Sequence, residues 1–477
     1  MKSFMRFLAA EMAMAVALLA GCTFSARHAA LTEPELPTRW LAASGTAHAA
    51  SASTPAEWGA ASAPLGTSPP SLRSPAEPSA APWWRTFADV KLNAVIEEAL
   101  ARNADLAIAA IRVRRAQLEA RLADAETAPR AELTGSANAE RVHTSARVNG
   151  TVSFELDLWG KLAARRDEAI WRAQASEADR EAAASALIAT TAKLYWRIGY
   201  ANESIVLGKG AIADALRTVA LVDVRVAAGA ASPLDAAQAR QQLARARAEQ
   251  AQRWRAREVQ RNALALLLGG PPETRGHEPA NLSVAFIPQV PARLPALVLA
   301  RRPDLRAAER RLRAQLARVD FARASIYPSI TLTGELGTRS DVLMRTLQNP
   351  LGSIGAALAL PFVQWNTVRL QAALSEHEFD EVSLEFRKQL YRALADVEDA
   401  LAAKTQLDAE WLEHEQAFAD AALAAALART RFERGATDVA PLLDAQRAAR
   451  AAELDRTKNQ LARLENRIDL FVALGGD

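Results

Sequence analysis

The sequence has little of what metal, redox and catalytic sites require. Its single cysteine, Cys22, cannot form a disulfide within the chain. None of its six histidines has metal-ligand spacing to another, and Met344 is the only methionine beyond residue 22. It contains no phosphate-binding glycine loop, nucleophile elbow or catalytic cluster. We therefore predict no enzyme, no cofactor and no metal site.

The chain also lacks a strong excess of one charge. A formal net charge of +3 over 477 residues is nearly neutral, and the pI of 9.1 comes from a slight arginine excess. That balance is poor evidence for a nucleic-acid partner. Half of the residues are hydrophobic, so the chain can bury an ample core.

The first residues carry an export signal. Lys2 and Arg6 precede an apolar stretch that ends in Leu-Ala-Gly before Cys22. This pattern predicts a lipoprotein signal over residues 1–21 and lipidation of Cys22; the alternative is an ordinary secretory signal followed by a chance cysteine. Because Thr23 replaces the aspartate that commonly retains lipoproteins at the inner membrane, we expect delivery to the outer membrane. Residues 22–82, rich in Ala, Ser and Pro, predict a largely disordered tether.

One turn occurs twice, each time between long Ala-rich helical patterns. Gly229 and Gly435 stand where a helix needs a left-handed C-cap, and Ser232 and Asp438 follow as N-caps of the next helix. We therefore predict two helical hairpin tips, one near residue 229 and one near 435.

The spacing of these tips indicates an internal duplication. An offset of 206 residues relates Gly229 to Gly435 and Trp159 to Trp365, and upstream an offset of 199 relates Pro129 to Pro328. A period near 200 is too long for a solenoid and indicates two homologous halves. The predicted organisation is a first repeat over 83–270, an irregular linker over 271–295 and a second repeat over 296–477.

Polar–apolar alternation predicts two strands in each half, within about 129–157 and about 328–362. The alternation is strict in the first three strands, whereas the fourth, around 354–362, has small residues on its polar side. Alternation over about ten residues is typical of a membrane β-strand, although a soluble sheet with one wet face gives the same pattern. Trp159 and Trp365 follow the second strand of each half, where an aromatic girdle belongs, and they favour the membrane.

Four strands cannot close a barrel, and open strand edges are not tolerated in lipid. We therefore predict that the chain oligomerises. Two copies give eight strands with a filled interior, whereas three give twelve and can leave an opening. The polar residues of the alternating strands would face the inside of the barrel, which suggests a water-filled lumen and favours three copies.

Long helical patterns complete the prediction. The stretches 160–229 and 366–435 are each followed by a shorter returning helix, and an earlier helix is expected over 92–128. At ~1.5 Å per residue, each long helix would reach on the order of 100 Å. Within the first, an apolar row and a row of small residues recur every seven residues, which predicts close helix pairing. The members of these rows are Ile198, Ile205, Ile212, Val219, Val226, and Ala201, Gly208, Ala215, Val222.

Six motifs are distinctive: Trp83-Trp84-Arg85 with Phe87, Asn103-Ala-Asp105-Leu106, Glu155-Leu-Asp-Leu-Trp-Gly160, Arg301-Arg-Pro-Asp-Leu305, Tyr327-Pro328-Ser329 and Leu442-Leu-Asp-Ala-Gln446. Together they resemble the outer membrane factor family, the TolC- and OprM-like exit ducts, and in particular its NodT-type lipoprotein branch. The resemblance implies a mostly helical trimer that forms a twelve-stranded outer-membrane barrel and a periplasmic helical barrel. It also implies a periplasmic adaptor, which we expect at the hairpin tips, and an inner-membrane pump of the resistance–nodulation–division (RND) class.

The resemblance further implies a resting gate and a passive duct. The family segment matched by residues 442–447 places its Asp and Arg in the lumen, here Asp444 and Arg447, with Arg240 as another partner for Asp444. The alternatives are a solvated pair on the outer surface, or a hydrophobic ring near Ala440 and Leu443. The expected function is export of drugs or other toxic compounds from the periplasm, with a type I protein-secretion duct and a heavy-metal duct as alternatives. Asn103-Ala104 departs from the usual Asn-Pro of the family, and Pro441 stands near the second tip.

Overall fold

The computed structural model describes Trp40 and residues 82–139, 144–282, 287–288, 301–340 and 350–476. The predicted signal, Cys22, most of the predicted tether, and residues 283–286 and 289–295 of the predicted linker lie outside the described residues.

Two similar series of elements follow one another. The first is a 3-10 helix (Trp83–Phe87), α1 (Val90–Arg102), α2 (Ala104–Ala125), β1 (Arg130–Ala139), β2 (Thr144–Leu156), α3 (Lys161–Ala227) and α4 (Pro233–Leu267). The second is α5 (Pro303–Ala324), β3 (Ser329–Ser340), β4 (Pro350–Ala359), a 3-10 helix (Pro361–Gln364), α6 (Trp365–Glu433) and α7 (Val439–Ala473). The order helix, two strands, long helix, returning helix thus occurs twice among the described residues.

The helix predicted over 92–128 is two helices, so that prediction was wrong. Asn103 ends α1 with an extended backbone and caps α2, because its side chain accepts the Leu106 amide at 3.0 Å. Its Nδ2 donates to the Leu267 carbonyl at the end of α4, at 3.1 Å. An asparagine that caps a helix cannot also continue one through the same residue.

The four strands form one antiparallel sheet in the order β1-β2-β3-β4. The fourth strand begins before the predicted 354–362 and ends at Ala359. The 3-10 turn that follows begins at Pro361, which has no amide hydrogen to donate to a ladder.

The helices that adjoin the strands follow the same order. The helix α2 packs on α3, α3 on α5, and α5 on α6. Farther from the sheet, α4 packs on α3, α3 on α7, and α7 on α6. The main apolar core lies midway along α3, where α1 and the ends of α4 and α7 meet it. Its largest fully buried members include Trp196, Tyr195 and Ile96.

The predicted seam of α3 is present. Ala201, Gly208, Ala215 and Val222, which form the row of small residues, are all buried. In the apolar row, Ile198 and Ile205 are buried and the three later members are half-buried. Small residues let the partner helices approach α3 closely.

Trp40 lies within the segment predicted as a tether, and it is buried. It packs against Val397 and Leu401 of α6 and against Leu470 and the adjoining Leu474 at the end of α7. This position is therefore part of the apolar core and not of a disordered tether.

Candidate functional site

The two helical hairpins, α3 with α4 and α6 with α7, end in turns of the same geometry. Gly229 (φ 71°) and Gly435 (φ 75°) adopt the left-handed conformation that favours glycine. In both turns, the amide of the residue after the glycine donates to the carbonyl five residues earlier, at 2.8 and 2.9 Å. These contacts satisfy carbonyls that the helix end leaves free.

The caps after the two glycines differ. Ser232 forms a capping box with Asp235: the Asp235 amide donates to the Ser232 hydroxyl at 3.3 Å, and the Ser232 amide donates to the Asp235 carboxylate at 2.8 Å. Asp438 occupies the N-cap position of α7, but its side chain makes no capping hydrogen bond. The prediction that Asp438 caps its helix is therefore correct for its position and wrong for its side chain. Pro441 is the third residue of α7.

An apolar cluster joins the two hairpins just above their tips. Its buried members are Val222, Ala236, Ala239, Phe432, Val439, Leu442 and Leu443. Phe432 is 1% exposed, and the Arg225 guanidinium lies 4.3 Å from the centre of its ring. Leu443 is 5% exposed, so its side chain packs between the hairpins and is not available to form the predicted hydrophobic ring of residues.

Asp444 and Arg447 form an ion pair one turn apart on α7. Their nitrogen–oxygen distance is 2.7 Å, and their side chains are 69% and 51% exposed. Ala440, one turn before Asp444, is exposed as well. Arg240 contacts a different carboxylate, that of Asp223 on α3, at 2.8 Å. The structure thus pairs the two predicted gate residues with each other and gives Arg240 another partner.

The two faces of the sheet differ in polarity as predicted. In one cross-strand row, Thr151 pairs with Glu132 and Glu335; in the next, Val152 pairs with Ala131 and Gly334. The apolar face is uncovered: Leu133 is 78% and Ile354 95% exposed. A soluble sheet with one wet face would bury its apolar face against other elements. This face instead has the character of a lipid-facing surface.

The two tryptophans predicted as a girdle occupy different surroundings. Trp159 is half-buried, stacks on Tyr327 with ring centres 4.8 Å apart, and donates its indole N–H to the Pro328 carbonyl at 2.8 Å. It therefore joins the start of α3 to the start of β3. Trp365 is the first residue of α6 and is 50% exposed.

Within the ranges that the structure describes, no group of three or more His, Cys, Asp or Glu side chains could hold a metal ion. None of the described helices is both long and apolar enough to cross a membrane.

Sequence reasoning missed the contacts that join the hairpins. Arg225 and Phe432 both lie in the duplicated turns, but nothing in a repeat indicates which side chains meet across it. It also missed a carboxylate shared by two arginines: Arg463 Nε and Arg467 Nη2 lie 2.9 and 3.0 Å from Asp408. The spacing of Arg463 and Arg467, one helical turn apart, is the only sequence signal for that site.

Comparison with known proteins gives consistent matches. A family model described as "Outer membrane efflux protein" matches residues 95–270 and 294–476. The pyoverdine export outer membrane protein OpmQ of Pseudomonas putida is 31% identical over 414 residues, 83% of this chain and 87% of that protein. The toluene efflux pump outer membrane protein TtgI of Pseudomonas putida is 30% identical over 412 residues, 82% of this chain and 86% of that protein. The open state of the MtrE outer membrane channel of Neisseria gonorrhoeae superposes with a TM-score of 0.75 at 30% identity, covering 81% of this chain and 89% of that one.

Proposed function

The chain belongs to the outer membrane efflux protein family, and on that basis we propose that three copies form the exit duct of a tripartite pump. It is an outer-membrane efflux channel, with a fold shared by trimeric channels that combine a β-barrel with a helical barrel. We expect the chain itself to carry out no catalysis and to need no cofactor, because transport energy would come from the inner-membrane pump.

The unpaired edges of the sheet carry this proposal. Strands β1 and β4 are its edges, and in lipid an edge strand must find a partner. Both flanking helices have exposed apolar residues: Ile108, Ile111, Leu118 and Leu122 on α2, and Leu370, Leu374, Leu384 and Tyr391 on α6. Pairing β4 and α6 of one copy with β1 and α2 of the next covers both edges, and three copies close a twelve-stranded ring.

Light scattering of the detergent-solubilised protein tests the assembly. We expect a particle with the mass of three chains after the detergent is subtracted, and it should form conducting channels in a planar bilayer. A well-folded monomer or dimer would refute the trimer.

We propose that the duct is anchored by lipid at Cys22 and that Trp365 contributes to an aromatic girdle. The anchor rests on the Leu-Ala-Gly-Cys sequence alone. In cells fed an alkyne palmitate analogue, the parent should become labelled and Cys22→Ser should not. Labelling of Cys22→Ser at the parent level would exclude this anchor.

We propose that Asp444, Arg447 and Ala440 line a resting constriction at the tips, which the adaptor releases when it binds near Gly229, Ser232, Gly435 and Asp438. An exposed pair of this kind contributes only ~0.2–1 kcal/mol to stability. Its effect on a gate would come from symmetry, because three Asp444 carboxylates around one axis repel each other unless Arg447 neutralises them.

Single-channel conductance in a planar bilayer tests the gate. Asp444→Ala leaves three Arg447 guanidinium groups unpaired around the axis, so we expect higher conductance and, in cells lacking the pump, entry of large antibiotics. Asp455→Ala, an exposed carboxylate farther along α7, is the matched control and should conduct like the parent. If Asp444→Ala and Arg447→Ala both conduct like the parent, the constriction lies elsewhere.

The cargo is a small compound rather than a polypeptide in this proposal. OpmQ is named for pyoverdine and TtgI for toluene, so the family name alone does not define the cargo. A strain that lacks its own ducts but retains an adaptor and an RND pump should regain resistance to drugs or solvents when it is given this chain. Restored secretion of a polypeptide or resistance to a metal salt alone would instead support one of the alternative ducts.

A further inference from the structure

A small basic cavity lies between the two hairpins, above the tips. Its floor is formed by Gly208 and Ala211 of α3, one wall by α4 and the other by α7. Four guanidinium groups and two carboxylates line it, those of Arg245, Arg253, Arg447, Arg450, Glu249 and Glu453. Its volume is about 190 Å³. The cavity therefore has an excess of positive charge.

Arg450 is the member of this set whose charge is left without a partner. Arg245 and Arg253 share Glu249, at 3.0 and 3.4 Å, and Arg447 pairs with Asp444. Among the described residues, no carboxylate lies within 4 Å of the Arg450 guanidinium, and its buried Nη2 has no hydrogen-bond acceptor. A buried charged donor without an acceptor is costly to leave unpaired.

The surroundings of Arg450 also disfavour its charge. Burial lowers the pKa of its guanidinium; Asp214 and Glu249 oppose that shift, whereas Arg447 and Arg253 add to it. Arginine nevertheless remains protonated in proteins. An anion placed among Arg253, Arg447 and Arg450 would relieve their repulsion and give the buried Nη2 of Arg450 an acceptor.

The size of the cavity decides what kind of anion it can hold. Drug-sized ligands occupy pockets of roughly 300–1,000 Å³, so this cavity is too small for such cargo. Guanidinium groups match the oxygens of phosphate and carboxylate by forked, charge-assisted hydrogen bonds. We propose that the cavity binds one small oxyanion per chain, held by Arg450 of α7 together with Arg253 of α4.

Such an ion would bridge the first hairpin to the second. The helix α4 returns from the first tip and α7 from the second, and α7 also carries Arg447, which lines the cavity while pairing with Asp444. The bound oxyanion would therefore stabilise the arrangement in which the hairpins lie together. Binding itself does not depend on the proposed gate, so the two proposals can fail separately.

Equilibrium dialysis of the full-length detergent-solubilised protein against radiolabelled inorganic phosphate tests the site. We expect saturable binding of one phosphate per chain, weakened roughly tenfold or more in Arg450→Gln through loss of its charge-assisted hydrogen bonds. Lys458→Gln makes the same change of charge at an exposed position of α7 away from the cavity and should bind like the parent. Light scattering of each variant checks that its assembly is unchanged.

Competition identifies the oxyanion class. Displacement of phosphate by acetate would assign the site to carboxylates as well, and resistance to acetate would restrict it to tetrahedral oxyanions; both results support the proposal. Should Arg450→Gln not assemble, Arg253→Gln on the opposite wall replaces it, with the same expected loss. Phosphate binding that does not saturate, or that is equal in the parent and an assembled Arg450→Gln or Arg253→Gln variant, would overturn the proposal.

Discussion

Two glycines of α3, two residues apart and so on nearly opposite faces of the helix, are expected to respond oppositely to the same substitution. A Cβ built on Gly208 would lie 1.9 Å from Gln250 Oε1 and 3.1 Å from an Arg253 nitrogen, whereas a Cβ on Gly210 meets nothing within 4 Å. Gln250 is buried, and its Nε2 donates to the Ile205 carbonyl at 3.2 Å. Gly208→Ala must therefore displace a side chain that is already held, and Gly210→Ala displaces none.

The magnitudes follow from these contacts. Alanine is favoured over glycine in a helix interior by roughly 0.5–1 kcal/mol, so Gly210→Ala should stabilise by about that amount. Gly208→Ala gains the same propensity but overpacks the seam, which typically costs about 1–3 kcal/mol, and it weakens a buried hydrogen bond worth ~1 kcal/mol. We expect a net destabilisation of roughly 1–3 kcal/mol per chain.

Thermal unfolding followed by circular dichroism at one fixed scan rate measures the difference. The apparent midpoint should fall for Gly208→Ala and rise slightly for Gly210→Ala. Adding Gln250→Ala to Gly208→Ala should recover part of the loss, because the two sites are coupled through one contact. If Gly208→Ala is as well tolerated as Gly210→Ala, the close packing assigned to the small-residue row of α3 is incorrect.

Two further predictions concern the cap of α4 and the shared carboxylate. Ser232→Ala removes a capping box and should cost ~1 kcal/mol locally, so amides in the first turn of α4 should exchange hydrogen roughly fivefold faster; Asp438→Ala, with no capping bond to lose, should leave α7 unchanged. Burial alone would raise the pKa of Asp408, but hydrogen bonds and charge from Arg463 and Arg467 outweigh it and lower that pKa. The stability gained from Asp408 is thus complete above its unfolded pKa of about 4 and is lost as pH falls through the lower folded value. Asp408→Asn should remove this dependence below pH 4, and at pH 7 it should destabilise the fold because Arg467, 2% exposed, would lose its anion. Breaking a fully buried pair costs about 3–5 kcal/mol, and since Asp408 is 34% exposed we expect roughly 2–3 kcal/mol here; equal melting midpoints at pH 7 would contradict this.

Much of the architecture could be predicted because local patterns determine it. The glycine turns at 229 and 435, the alternation in the strands and the seven-residue rows of α3 all report their own backbone geometry. The break at Asn103 is also local, but a single capping residue is a weaker signal than the helical pattern that continues on both sides of it.

The candidate site was harder to predict because it depends on contacts between distant segments. Arg225 stacks on Phe432, and Arg450 faces α4, only because the two hairpins pack side by side. Trp40 is buried by α6 and α7, more than 350 positions away in the chain. A periodic pattern shows that a face will be covered and does not show which residues will cover it.

The matching order of strands and helices has a consequence for the width of the duct. In a ring of three chains, twelve strands and twelve helices form the wall at successive levels. Strands ~4.8 Å apart, tilted by about 40°, give a circumference of roughly 75 Å and a diameter near 24 Å. Helices ~9 Å apart give roughly 108 Å and a diameter near 34 Å. Between backbone centres, the helical part of such a ring is therefore wider than the strand part, so the strand part and the proposed constriction at the tips would limit the size of a departing molecule.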